Sequence, residues 1–205
     1  MSLGSVNGKL RRSQPFADLD EVEENIQKVL YTQQTDKDID AEQSFMRLEI
    51  LKGEMASLAR TIDRVSELVR EVQETTDTPF KTPTLDLARQ TRVLAGVTEA
   101  MLEQLSKTPK PSSQSIEQSA DQANDNWYQR HQFQAVYDMQ LRANKNEVGD
   151  DEQDIFLFAV NLQTLGLSCF EIFTEARRFC EAAEEDKRSR VIWEVMFPTR
   201  PRKIG

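Results

Sequence analysis

The residues best suited to chemistry in this 205-residue chain are a single histidine, His131, and two cysteines, Cys169 and Cys180. A di-iron helical bundle carries a glutamate three residues before its histidine, and here that position is Tyr128. The seven glycines stand singly and form no phosphate-binding loop. No nucleophile-elbow motif occurs either. The sequence therefore predicts a protein that is not an enzyme and that holds neither a cofactor nor a metal.

The two cysteines lie on the apolar side of one predicted helix. Cys169 and Cys180 are eleven residues apart, which along a helix is about 16 Å. A disulfide requires Cα atoms within about 7 Å, so the two cannot pair inside one helix. Residues 1–15 have no apolar core of the kind a signal peptide needs. We therefore predict buried, reduced thiols and a cytoplasmic protein.

Three aspartates at alternate positions resemble the start of a calcium-binding loop. They are Asp36, Asp38 and Asp40, but the sixth loop position is Ala41 where glycine is required. The twelfth position is Arg47 where a bidentate glutamate is required. The acidic run is instead typical of a helix start, where negative charge is favoured.

The elements that must position any site begin with a long apolar helix near the C-terminus. Nine apolar residues recur at steps of three and four, as on one helical stripe: Ile155, Phe158, Leu162, Leu165, Cys169, Ile172, Ala176, Phe179 and Ala183. Only sixteen uncharged residues separate Asp154 from Glu171, whereas a membrane span needs about 20 predominantly apolar ones. We therefore predict the buried axis of a helical bundle and no membrane span. Gly166, near its middle, allows a neighbouring helix to approach closely.

A second predicted helix, 38–75, carries a heptad stripe. Its positions are Leu48, Leu51, Met55, Leu58, Ile62, Val65, Val69 and Val72. The flanking positions are mostly small or apolar, which suits a bundle of several helices better than a two-stranded zipper. The stripe therefore either packs inside the protein or pairs with a partner chain, as a coiled coil or a homo-oligomer. Its first six residues, Leu48 to Val65, are candidate partner-binding residues.

The remaining helices are predicted at 16–31, 82–107 and 115–148. Pro-containing segments at 75–83 and 106–113 separate them, and the first should join an antiparallel hairpin. The fold class is thus an all-α antiparallel bundle with long coiled-coil-like helices. Its predicted parts are a flexible N-terminal arm, two sets of helices that share one bundle, and a basic C-terminal tail: 1–15, 16–107, 108–197 and 198–205.

Aromatic residues supply a second group of candidate binding residues. Trp127, Tyr128 and Phe133 lie in a helix of low complexity, where Ser115 and Gln118 fit a capping box. Such aromatics either anchor a protein interface or close the end of the bundle core. Two further aromatics, Trp193 and Phe197, belong to the run VIWEVMF, which either docks back on the bundle or binds a partner.

The formal net charge of −9 is unevenly distributed. Residues 187–205 carry six basic residues and one acidic residue, a local +5, which leaves −14 for the remainder. An acidic body argues against a broad nucleic-acid surface. Only the tail, with Arg200, Arg202 and Lys203, offers contacts to phosphates.

Two functional hypotheses follow from these patterns. The first is a non-enzymatic scaffold or adaptor that acts through helix–helix contacts within a larger assembly. The alternative is a regulatory or secreted effector-type protein whose basic tail contacts nucleic acid or membrane phosphates. Neutralising the tail should abolish binding only in the second case.

Overall fold

The computed structural model describes residues 10–31, 41–72, 81–107, 109–128, 130–145 and 150–196. These residues form six α-helices and no strand, which confirms the predicted all-α class. The helices are α1 Gln14–Tyr31, α2 Ala41–Val72, α3 Lys81–Leu105, α4 Ser113–Trp127, α5 Arg130–Asn144 and α6 Asp150–Met196.

The first three helices run alternately up and down. Between α1 and α2, Asp18 forms an ion pair with Arg64 at 2.8 Å. Arg47 donates a hydrogen bond to the carbonyl oxygen of Val29 at 2.8 Å. Because the pairing joins the start of one helix to the end of the other, α1 and α2 are antiparallel.

The pairing of α2 with α3 follows the same pattern. Lys52 lies 3.3 Å from Glu103, and Arg92 lies 2.7 Å from Asp63. The predicted antiparallel hairpin of these two helices is therefore present.

Helix α6 is the axis of the bundle and contacts each of the other five helices. Eight of its nine stripe positions are buried, from Ile155 to Phe179, whereas Ala183 is exposed. Beside it, α1 runs parallel, since Asp20 bonds Asn161 and Gln27 bonds Ser168. The buried axis predicted from the apolar periodicity is thus confirmed up to Phe179.

Helix α4 runs antiparallel to α6. Ser113, at its start, bonds Glu184, and Arg177 donates to Glu117 at 3.0 Å. The cap is Ser112, whose hydroxyl accepts from the backbone N–H of Ser115 at 3.2 Å. The prediction that Ser115 and Gln118 form the capping box is therefore wrong, because the helix begins two residues earlier.

Three further boundaries differ from the predictions. The helix predicted over 115–148 is two helices, because the backbone is extended at Tyr128, with φ −76° and ψ 106°. At the N-terminus, Leu10 is buried in the core and α1 already begins at Gln14, so the described part of the predicted arm is ordered against the bundle. Finally, α6 continues without a turn through 191–196. The run VIWEVM therefore does not fold back at Arg190.

Candidate functional site

The heptad stripe of α2 lies inside the protein. Its six candidate partner-binding residues, Leu48, Leu51, Met55, Leu58, Ile62 and Val65, are all buried in the core cluster. The facing stripe of α3 is buried too, which accounts for the close pairing of the two helices. Of the two alternatives for this stripe, the structure takes the first. These side chains pack inside the chain's own bundle.

The candidate aromatics separate into a buried member and two outer members. Trp127 is buried, and its indole N–H donates to the hydroxyl of Thr91 at 3.0 Å. Phe133 is partly buried and packs edge-on against Trp127, with ring centroids 5.1 Å apart. Tyr128 is 55% exposed and lies over Phe133 at 4.9 Å. The cluster therefore closes the bundle core at Trp127 and presents Tyr128 to solvent.

Gly166 makes room for this tryptophan. A Cβ atom at Gly166 would overlap three atoms of the Trp127 ring. Phe170, one turn further along α6, packs edge-on against the indole at a centroid distance of 5.6 Å. The predicted close approach at Gly166 is confirmed, although a side chain and not a helix backbone fills the space.

A shallow apolar groove lies between α3 and α4, beside the same tryptophan. Its volume is about 220 Å³, and Val93, Val97, Leu94, Ala123, Trp127, Arg89, Gln90 and Asn126 line it. Val93 and Val97 are 53% and 40% exposed, one turn apart on α3. The side-chain oxygen of Gln90 is buried and accepts no hydrogen bond from the described residues. Sequence periodicity missed this groove because it depends on how α4 lies across α3.

Helix α6 contacts the rest of the bundle near the start of α4. The backbone N–H and the hydroxyl of Ser113 donate to the two carboxylate oxygens of Glu184, at 2.9 and 3.1 Å. Three residues before Ser113, the ammonium of Lys110 lies 4.5 Å from the Phe179 ring centroid, in cation–π geometry. These contacts fix the point at which α6 leaves the core.

Beyond that point α6 continues for twelve residues, 185–196, which we call the α6 extension. This segment is about 18 Å long at the helical rise per residue. Every side chain that the structure describes between Glu185 and Ile192 is exposed. Val191 and Ile192 are 52% and 58% exposed, although both are β-branched apolar residues. The extension is thus a helix whose described side chains face solvent.

The remaining candidate residues cannot be placed in this arrangement. Trp193 lies within α6, but its side chain falls outside the described part of the chain. The same holds for the whole of Phe197, Arg200, Arg202 and Lys203. A contact of the tail with phosphates therefore stays a prediction.

The two thiols are buried and unpaired, as predicted. Burial raises the pKa of Cys169 to about 12, because the thiolate would lose its hydration. The pKa of Cys180 is also raised, first by burial and then by the nearby Glu184 carboxylate. Low pKa is the mark of a reactive cysteine, so neither thiol has the character of a nucleophile. Among the described residues no group of three or more His, Cys, Asp and Glu side chains is placed to hold a metal ion.

Among the described residues, one stretch meets the length and composition of a membrane span. It lies in Glu152–Ser189, where the most apolar window has a mean hydropathy of 1.6, and half of that window is buried inside the bundle. The core helix of a soluble protein has the same composition, so this stretch is weak evidence for a membrane location.

Comparison of the chain with protein-family models, with curated proteins and with solved structures found no match.

Proposed function

We propose that the protein is a non-enzymatic, cytoplasmic scaffold or adaptor that acts through helix–helix contacts within a larger assembly. The observation that carries the proposal is the α6 extension. Its described side chains face solvent, and two large apolar residues lie near its tip.

The extension continues a helix that is already nucleated, and residues such as Ala, Glu, Lys and Arg favour that continuation. What the extension lacks is burial of its apolar residues Val191 and Ile192. Most helical stability in proteins comes from burying an apolar face. A partner helix laid along the extension would bury Val191 and Ile192 and would supply that stabilisation.

The thiol and hydroxyl side chains that could take part in chemistry are used inside the fold, which supports the same proposal. Cys169 lies 3.7 Å from the sulfur of Met55, inside the core. The hydroxyls of Thr91 and Thr98 are used for internal hydrogen bonds, one from Trp127 and one to the carbonyl oxygen of Leu94. These groups stabilise the fold, and the side chains that are open to a partner lie on the surface.

The test is the native size of the protein in an extract of the cells that produce it. We expect the wild-type chain to elute well above the 23.6 kDa of one chain. The double variant Val191→Lys/Ile192→Lys should shift to smaller size, because lysine cannot be buried at a helix–helix contact without a partner.

A matched control tests whether any exposed apolar pair would give the same shift. Val93→Lys/Val97→Lys changes two valines of similar exposure on α3, and we expect it to leave the elution unchanged. Elution of the wild-type chain as a single copy in the extract would remove the proposal.

A further inference from the structure

We infer that the segment 182–192 of α6, which includes the first part of the α6 extension, pairs in antiparallel orientation with the same segment of a second copy of this chain. The inference rests on the proposed role of the extension as an interaction element, and it names the partner. Two features support it: the order of charges along the segment, and the residues on its outer face.

The charges change sign between Asp186 and Lys187, near the middle of this segment. Glu184, Glu185 and Asp186 are followed by Lys187, Arg188 and, after Ser189, Arg190. Laid antiparallel, the acidic half of one copy lies along the basic half of the other, and the reverse holds by symmetry. A twofold interface must be complementary to itself, and this charge order meets that requirement. A parallel pair would instead place like charges side by side, which is unfavourable.

On the outer face of the helix, small and large side chains are placed so that two antiparallel copies would match. Ala182, Glu185, Ser189 and Ile192 recur at steps of three and four, so they share one face, and all four are exposed. This face points away from the stripe of Cys180 and Glu184, through which α6 contacts its own bundle. The chain's own helices therefore leave the outer face accessible.

One register satisfies both patterns. With the twofold axis near Lys187, the large Ile192 of one copy lies opposite the small Ala182 of the other. In the same register the position of Glu185 lies beside that of Arg188, and the position of Asp186 lies beside that of Arg190. Large residues then meet small ones and acidic residues meet basic ones, as in helical pairs whose flanking charges select orientation.

The test begins with the mass of the purified full-length protein. Sedimentation equilibrium at low salt should give twice the 23.6 kDa of one chain. Raised salt should weaken the dimer, because the charges that select it are at the surface. A single-chain mass at every accessible concentration would overturn the inference.

Two charge variants then test the register. Glu185→Lys/Asp186→Lys makes the segment predominantly basic, and Arg188→Glu/Arg190→Glu makes it predominantly acidic. We expect each variant alone to dimerise about tenfold to a hundredfold more weakly, because like charges face each other. An equal mixture of the two should restore the dimer as a heterodimer, since each half then faces the opposite charge. Failure of the mixture to recover would reject the antiparallel charge pairing.

The mixing experiment excludes the trivial explanation that the variants fail to fold, because misfolded chains would not recover on mixing. Val93→Lys/Val97→Lys is again the control and should leave the mass unchanged. If that variant, and not the charge variants, lost the dimer, the α3–α4 groove would be the interface and the inference would fail. A monomeric purified protein found in a large native assembly would overturn the self-pairing and leave the proposed function standing.

Discussion

The two parts of α6 are one continuous helix in two different environments. From Ile155 to Cys180 the helix is surrounded by the other five, and its stripe positions are buried. From Glu181 to Ile192 every described side chain except that of Glu184 is exposed. The helical backbone does not change at this point. The packing around the helix changes, because α4, which packs along α6, begins at Ser113 beside Glu184.

The difference shows that helix formation and burial are separate properties of the sequence. The emerging part, EAAEEDKRSR, is rich in Ala, Glu, Lys and Arg, which favour a helix without needing contacts. The inner part contains phenylalanines and β-branched residues, which form a helix here because they are packed. The inner part therefore stabilises the fold, and the exposed side chains of the outer part can contact a partner.

The largest effect that distinguishes the two environments should come from Leu165→Ala. Leu165 is fully buried at the centre of α6, so truncation leaves a cavity and should lower the free energy of unfolding by about 2–5 kcal/mol. The matched change is Leu167→Ala, two residues further on, where the side chain is 59% exposed. That variant should lie within about 0.5 kcal/mol of wild type. Equal midpoints of urea unfolding for the two variants would show that α6 is not the core.

A second, smaller effect should follow from Gly166→Ala. The added methyl group would overlap the Trp127 ring, so the ring or the helix must shift. Overpacking of this kind costs about 1–3 kcal/mol, and urea unfolding measures it. Gly53→Ala is the contrast, because nothing lies within 4 Å of a Cβ atom there and alanine favours a helix. A gain in stability for both variants would contradict the observed seating of Trp127.

Periodicity explains why the inner part was predictable. The steps of three and four located eight buried residues from Ile155 to Phe179, and Gly166 was recognised as a point of close approach. An amphipathic pattern records which face a helix buries, so it survives in the sequence alone.

The remaining features depend on contacts between distant residues. The break at Tyr128 has no proline or glycine to announce it, and it occurs where Trp127 reaches across to Thr91 and Gly166. The stripe also gave no reason for α6 to leave the bundle at Ala183, since alanine fits a core or a surface equally well. Of the candidate site, the aromatics were found by residue type, but the groove at Val93 and the exposure of Ile192 required the assembled helices.

A third prediction concerns the hydrogen bond that fixes the break between α4 and α5. Thr91→Val removes the acceptor of the Trp127 indole N–H, which would then be buried without a partner. We expect a loss of about 1–2 kcal/mol, the cost of an unsatisfied buried donor. Thr98→Val is the control, because its hydroxyl donates to the Leu94 carbonyl oxygen and accepts no bond from Trp127. Thermal melting should rank Thr91→Val below Thr98→Val, and the reverse order would contradict the assigned bond.

A fourth prediction uses the thiol of Cys169 as a reporter of the inner part of α6. Because the pKa of Cys169 is raised to about 12 from an ordinary 9.0, the folded state keeps its proton longer than the unfolded state does. The resulting stabilisation is present below pH 9.0 and is lost as the pH rises toward about 12. Iodoacetamide should label native Cys169 slowly throughout that range and rapidly once the protein is unfolded in urea. Rapid labelling of Cys169 in the native protein would contradict its burial.

The smallest effect should come from Ile192→Ser, in the α6 extension. At low protein concentration the variant should unfold within about 0.5 kcal/mol of wild type, because Ile192 is 58% exposed and its loss leaves no cavity. At high concentration the wild-type chain should become more stable, since association adds to the free energy of the folded state by mass action. The variant should gain less from the same increase. If the melting temperature of wild type does not depend on concentration, the outer part of α6 contributes nothing through a second copy.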